Sequence, residues 1–262
     1  PTGLLIPPSN VMITFSLVSG GTSVAALFMA GYIPGALWAL ACMLVVYIYA
    51  KKAGYRSQTK LTGKEKFNAF IQALPCLLLI VIVIGGIIAG VFTATEGSVV
   101  AVVYSLLLSI YGYKSMKWKD LPEIFRASAE MTGIIIFLIG VSSIMSWVMA
   151  FTNIPTMVSN GLLSISSNKY VILLMINIIL LVVGTFMDMT PATLIFTPIF
   201  LPVCTALGMN TIHFGIMLIF NLCIGTITPP VGTTLFVGVK VGGVKIETVF
   251  KHLLPYFFAI IV

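Results

Sequence analysis

Charge is scarce in this sequence. Only 14 basic and seven acidic residues occur among 262, or 8% of the chain, where a soluble globular domain carries roughly 25%. Too few polar side chains exist to cover a surface facing water, which argues against a soluble enzyme, a disordered protein and a nucleic-acid binder. Histidine is limited to His213 and His252, which read as residues of helix ends at the membrane interface. The four cysteines (Cys42, Cys76, Cys204, Cys223) form no CxxC pair, and each lies in an apolar run. They read as small buried hydrophobes, not metal or redox groups. A membrane enzyme would need a catalytic cluster of acids, histidines or metal ligands, and a channel would need rings of pore-lining charge. Neither pattern is present.

What the chain does have is apolar sequence. Fifty-nine percent of it is AVILMFWYC and its mean hydropathy is +1.14, the profile of an all-α polytopic membrane protein. A membrane span needs about 20 apolar residues. Such stretches cover 33–50, 73–91, 96–113 and 129–150. Others run over 169–187, 192–206 and 212–241, the last interrupted in its middle, and a final one begins near 247. Pro1 already lies in a hydrophobic context and Val262 falls inside an apolar run, so a piece of a longer protein, cut at both ends, is expected.

Basic residues report orientation. Lys51, Lys52, Arg56, Lys60, Lys64 and Lys66 mark one loop, and Lys114, Lys117, Lys119 and Arg126 another. Two spans separate these loops, so both face the cytoplasm. The polar segment 151–168 then lies outside, and 212–241 runs inward to Lys240 and Lys245. That count closes only if 169–206 is a re-entrant hairpin. Segments 64–74 and 119–129 are short and of mixed charge, and are expected to lie along the cytoplasmic interface as amphipathic helices.

An internal repeat stands out. Residues 3–21 (GLLIPPSNVMITFSLVSGG) and 225–243 (GTITPPVGTTLFVGVKVGG) share a Gly-x-x-x-Pro-Pro frame and a terminal Gly-Gly. The orientation count sends the two copies through the bilayer in opposite directions, and inverted repeats are a mark of secondary transporters. Proline lacks an N–H, so Pro7 and Pro8 are expected to strip the carbonyls of Gly3 and Leu4 of their helical donors. Pro229 and Pro230 would do the same for Gly225 and Thr226. Residues preceding proline are pushed out of the α region, so tandem prolines open a helix. Bare carbonyls at membrane depth must be buried in protein, wetted or bound to a cation. Ser9 and Asn10 in one copy, and Thr226, Thr228, Thr233 and Thr234 in the other, add oxygens. An oxygen-only set at an unwound helix suits sodium, and the N–H groups of the following half-helix favour a carboxylate.

Two acids remain. Asp188 sits between apolar runs where Pro191 interrupts the helix, with Thr185, Thr190 and Thr193 close in sequence. An ionisable residue inside the membrane is by default a functional candidate, and the competing reading is a helix cap. Glu96 opens a span, either as a dipole-favoured N-terminal carboxylate or as a functional residue of the scaffold.

The segments GLLIPPSNVMI, GYIPGALWAL, FTATEGSVVAVVYSLLL, GTFMDMTPATLIFTPIFLPV, HFGIMLIFNLCIGTITPPVGTTLFV and LLPYFFAIIV, in this order, resemble the large membrane subunit of tripartite ATP-independent periplasmic (TRAP) transporters. The resemblance covers essentially the whole chain and is most specific at DMTPA and TPPVG. Relative to the family, the chain lacks the first scaffold helices, the first hairpin and the last part of the final helix.

The resemblance implies an elevator-type secondary transporter of the bacterial inner membrane, driven by about two sodium ions. Its cargo would be a small organic acid, with sialic acid or another acidic sugar favoured over a C4-dicarboxylate. A periplasmic binding protein would deliver that cargo, and a small four-helix membrane subunit would brace the permease. It also implies a division into 1–32 (first broken helix), 33–150 (mainly scaffold), 151–211 (second hairpin), 212–243 (second broken helix) and 244–262 (start of the final helix). One sodium site would use Gly3, Leu4, Ser9 and Asn10. The other would use Asp188, Thr190, Thr193, Gly225, Thr226, Thr228 and Gly232. Ser9, Asn10, Thr228, Thr233 and Thr234 would face the substrate between the breaks. The only arginines, Arg56 and Arg126, fall in loops, so no arginine clamp for a carboxylate is expected. The alternatives are a dicarboxylate or citrate carrier that needs no binding protein and, further off, a membrane enzyme or channel.

Overall fold

The computed structural model describes residues 2–54, 62–166, 168–229 and 232–261. Pro230 of the second Pro-Pro pair, and Arg56 and Lys60 of the first basic loop, lie outside these. The described residues form α-helices: α1 (Thr2–Leu5), α2 (Asn10–Val18), α3 (Val24–Ala53), α4 (Gly63–Ile88), α5 (Ala94–Leu107), α6 (Leu121–Phe151), α7 (Ile154–Ile165), α8 (Lys169–Phe186), α9 (Met189–Ala206), α10 (Thr211–Gly225), α11 (Thr233–Gly242) and α12 (Ile246–Ile261). A π-helical turn, Leu108–Gly112, extends α5, and a 3₁₀ turn, Trp118–Asp120, leads into α6. Among the described residues, six helices are long and apolar enough to cross a membrane.

Both predicted breaks are present: α1 stops before Pro7-Pro8, and α10 stops four residues before Pro229. Single prolines behave differently. Pro34, Pro75, Pro198 and Pro202 sit inside continuous helices. One proline deletes one hydrogen bond and bends the rod, whereas two in succession force consecutive residues out of the α region.

Two expectations are corrected. Segments 64–74 and 119–129 are not separate interfacial helices. The first is the opening of α4, started by a capping box in which the Thr62 N–H donates to Glu65 Oε2 at 2.7 Å. The second runs through the 3₁₀ turn straight into α6, with Pro122 in the first turn, where its missing N–H costs nothing. The polar stretch 151–168 is largely helical. It contains α7, which turns Leu162 into the protein and packs on α9.

The chain divides into two compact units, Pro1–Tyr49 with Leu138–Val262 and Ala50–Phe137. In the second, α4 and α5 pack together. Tyr104 donates to the Pro75 carbonyl at 2.9 Å, and Gly97 sits against Ile87. Many of the large apolar side chains here, Phe67, Val81 and Phe125 among them, are exposed, a surface that requires hydrocarbon or protein cover.

In the first unit α10 is the axis. It is buried almost all round, from Phe214 through Thr226, and packs against α1, α2, α8 and α9. Phe15 of α2 meets Phe214 with ring centroids 6.1 Å apart. Gly215 makes room, since a Cβ there would lie 2.5 Å from the Phe15 ring. Trp38 of α3 meets Phe220 edge-on at 5.0 Å, one turn from Gly35, which lies against Ile6 at the first break. The middle of α2 therefore lies at the start of α10, and the break before α2 lies further along it. The two broken helices run in opposite senses, as the inverted repeat requires.

Candidate functional site

The first break spans residues 6–9. Ser9 is extended (φ −120°, ψ 120°) in the N-cap position of α2, yet its hydroxyl does not cap that helix. It reaches back and donates to the Leu4 carbonyl at 2.5 Å. Ser9 is 1% exposed, so this bond is sheltered from water. The first-turn N–H groups of α2 (Asn10, Val11, Met12) have no described acceptor. Gly3 and Asn10 are exposed and Leu4 is half-buried.

The second break folds back on itself. Thr226 and Thr228 donate their hydroxyls to the carbonyls of Cys223 (2.8 Å) and Ile224 (2.7 Å), tying off the end of α10. The Thr228 N–H donates to the Gly225 carbonyl at 2.9 Å, and the N–H groups of Thr234 and Leu235 donate to the Thr226 carbonyl at 3.1 and 3.3 Å. Gly232 takes φ +22° at the head of α11, and a Cβ there would sit 2.9 Å from the Thr228 carbonyl oxygen. Only a residue without a side chain lets α11 start so close to the carbonyls it follows.

This corrects the expectation of naked carbonyls. Of the four singled out, Leu4 and Gly225 already accept one hydrogen bond and Thr226 accepts two. Gly3 alone has no described donor. The Leu4 and Gly225 oxygens each keep a second lone pair, and the carbonyls of Ile227 and Thr228 have no described donor.

Asp188 lies at the turn between α8 and α9, where Met187 is extended. It occupies the N-cap position of α9 (φ −68°, ψ 157°), but its carboxylate accepts no helix N–H. Instead Thr233, at the start of α11, donates to Asp188 Oδ1 at 3.3 Å. The tip of the α8–α9 pair is thus joined to the second break across 45 residues of sequence. Asp188, Gly225, Thr226, Thr228, Gly232 and Thr233 form one constellation. Thr190 is half-buried nearby in sequence, and Thr234 is exposed. Among the described residues no hydrogen bond joins this group to Gly3–Asn10, which stands apart.

The electrostatics follow from helix direction. Asn177 pairs with Asn221, and further along both helices Gly184 touches Gly225. So α8 and α10 run the same way and end together at Asp188. Each C-terminus carries about half a negative charge, offset by the starts of α9 and α11 at the same place. The carboxylate then leaves about one net negative charge at the junction, which suits a monovalent cation. Thr193 and Thr197, one turn apart on α9, are fully buried, and their hydroxyls have no hydrogen-bond partner. Leaving a buried hydroxyl unpaired costs about 1–3 kcal/mol, so this face of α9 has room in its chemistry for a water or an ion. The sequence reading missed Thr197. Its signal, a threonine four residues after Thr193, was visible.

Glu96 lies in the other unit. Its carboxylate accepts from the Thr93 N–H (2.8 Å) and the Thr93 hydroxyl (2.9 Å), and the Glu96 N–H donates to Thr93 Oγ1 (3.2 Å). That is a complete capping box at the start of α5. Glu96→Ala is expected to lower the melting temperature in detergent slightly while leaving the ion and cargo dependence of uptake unchanged. A shifted ion dependence would give it a direct role.

Residues 1–262 match the family described as tripartite ATP-independent periplasmic transporter, DctM component. The chain belongs to that family. It is 52% identical over its full length to the uncharacterized protein YgiK of Salmonella typhimurium, covering 60% of that protein. It is 37% identical to the sialic acid TRAP transporter large permease protein SiaM of Vibrio cholerae, over 97% of this chain and 59% of SiaM. It is 36% identical to the C4-dicarboxylate TRAP transporter large permease protein DctM of Pseudomonas aeruginosa, over 99% and 61% respectively. The chain thus spans about 60% of the length of these relatives. The family is one of transporters, not enzymes, and this DctM-family chain is a multi-pass inner-membrane protein.

Proposed function

We propose that the protein containing this chain imports a small organic acid by sodium-coupled secondary transport, moving it by an elevator-type alternation of access. The observation that carries this reading is the junction of Asp188 with the second break. There two parallel helix ends, a carboxylate and threonine hydroxyls gather hard oxygens around about one net negative charge. Sodium fits that donor set, and transition metals, which favour nitrogen and sulfur, do not. A second sodium site at Gly3–Asn10 would use the free Gly3 carbonyl with the Leu4 and Ser9 oxygens. The uncapped N–H groups of α2 offer an anionic cargo its carboxylate partner.

Asn10, Thr228, Thr233 and Thr234 supply the hydroxyl and amide contacts for that cargo. From Phe220, near the level of the first break, to Thr226 at the second, α10 rises about 9 Å, a span that one acidic sugar can bridge. Relatives named for sialic acid and for C4-dicarboxylates are almost equally similar to this chain. A sialic-acid-like sugar is the first cargo to test and a C4-dicarboxylate the second. The family name supports a periplasmic binding protein as the delivering partner, with a small membrane subunit alongside.

The test is uptake into proteoliposomes by the full-length permease with its small subunit, with and without a sodium gradient and with and without the binding protein. Uptake is expected only when both are present. Sodium-independent uptake would defeat the coupling, and equal uptake without the binding protein would mark a carrier that works alone.

A further inference from the structure

Asn177 and Asn221 take no part in the constellation above, yet they are amides inside two very apolar helices. Asn221 Nδ2 donates to Asn177 Oδ1 at 2.5 Å and to the Met217 carbonyl at 2.8 Å. Asn177 Nδ2 donates to the Leu173 carbonyl at 2.7 Å and lies 3.5 Å from Met217 Sδ. Asn221 is 5% exposed. Each amide is thereby pinned to a carbonyl four residues back on its own helix, which fixes its direction. The bond between them closes in only one register, because sliding α10 by one residue moves Asn221 about 1.5 Å along the axis and about 100° around it.

Two turns further along α8, Gly184 meets Gly225, where a Cβ on Gly225 would fall 2.4 Å from the Gly184 carbonyl carbon. An amide pair and a backbone contact are two fixed points, and two points set both the register and the crossing of α8 on α10. Asp188 follows Gly184 by four residues, and Thr226 follows Gly225 directly. The distance between the carboxylate and the second break is therefore inherited from these two contacts.

We infer that Asn177 and Asn221 are positioning residues for the cation site: their amide bond holds α8 in register on α10 and so holds Asp188 against the second break, without touching the ion. This rests on the proposal that Asp188 and the second break bind sodium. Losing a partner that orients a metal ligand typically weakens binding about tenfold or more.

The experiment measures sodium half-saturation and maximal rate of uptake for the complete transporter carrying Asn177→Leu, Asn221→Leu, both together, or Asn177→Ser. Serine can bond to its own helix carbonyl but cannot reach Asn221, so this variant breaks the bridge while sparing the fold. Each single variant is expected to raise the half-saturation about tenfold, with the maximal rate at saturating sodium retained. The double variant should do no more than one single, since either loss opens the same contact. A merely structural role would lower the amount of folded transporter and its maximal rate without moving the half-saturation. That result in Asn177→Ser overturns the inference, as do single effects that multiply in the double variant. If the unaltered transporter shows no sodium dependence, the functional proposal itself falls, whatever the variants do.

Discussion

Asp188→Ala is expected to raise the sodium half-saturation of uptake by about 10- to 100-fold. A hydrogen bond or ligand contact to a charged group is worth about 1.5–3 kcal/mol, and each 1.4 kcal/mol is a factor of ten. Asp188→Asn should lose nearly as much. The amide preserves the shape and still accepts from Thr233, but it removes the negative charge that makes the junction attractive to a cation. Neither variant should unfold the protein, because Asp188 is exposed and its side chain caps no helix. The decisive measurement is the sodium dependence of uptake, accompanied by the melting temperature in detergent. Unchanged half-saturation in both variants would remove Asp188 from the cation site and leave it a hydrogen-bonded turn residue.

The second large effect is steric, and it separates two glycines in the same contact. A Cβ on Gly225 would lie 2.4–2.5 Å from three backbone atoms of Gly184, none of which can swing away. A Cβ on Gly184 meets Gly225 Cα at 3.2 Å and the Leu222 side chain at 3.4 Å, a fit that needs only a few tenths of an ångström of give. Gly225→Ala is therefore expected to destabilise the protein by about 3 kcal/mol, the upper end of ordinary overpacking, and Gly184→Ala by about 1 kcal/mol. Thermal unfolding of the two variants in detergent checks the order. Equal shifts, or a larger one for Gly184→Ala, would mean that α8 and α10 do not cross where these glycines lie. Because the same crossing sets Asp188 beside the second break, Gly225→Ala should also disturb sodium dependence in whatever folded protein survives.

The two breaks were legible because the chemistry of tandem proline is local. Pro7-Pro8 and Pro229-Pro230 act on the residues beside them whatever surrounds the helix, while single Pro34 and Pro75 leave continuous rods. The opposite directions of the broken helices were also readable, since lysine placement reports topology before any packing is known. Helix α7 escaped notice because its apolar face, Ile154, Val158 and Leu162, is thin and gains meaning only against α9. The start of α4 was misread because its lysines resemble a surface helix, although Thr62 and Glu65 already spell its N-cap.

The state of the main-chain oxygens could not be read in the same way. Proline removes a donor from the Thr226 carbonyl, but α11 returns two others, from Thr234 and Leu235, which are eight and nine residues further on. The meeting of Asp188 with Thr233 likewise depends on α8 and α10 lying side by side. Amino-acid order alone settles the membrane environment, the long apolar helices and the two places where tandem proline interrupts them, because hydropathy and proline geometry work over a few residues. Which helix ends meet, which oxygens stay open and where the charge collects are matters of packing between distant segments, because a hydrogen bond across a break has no local signature.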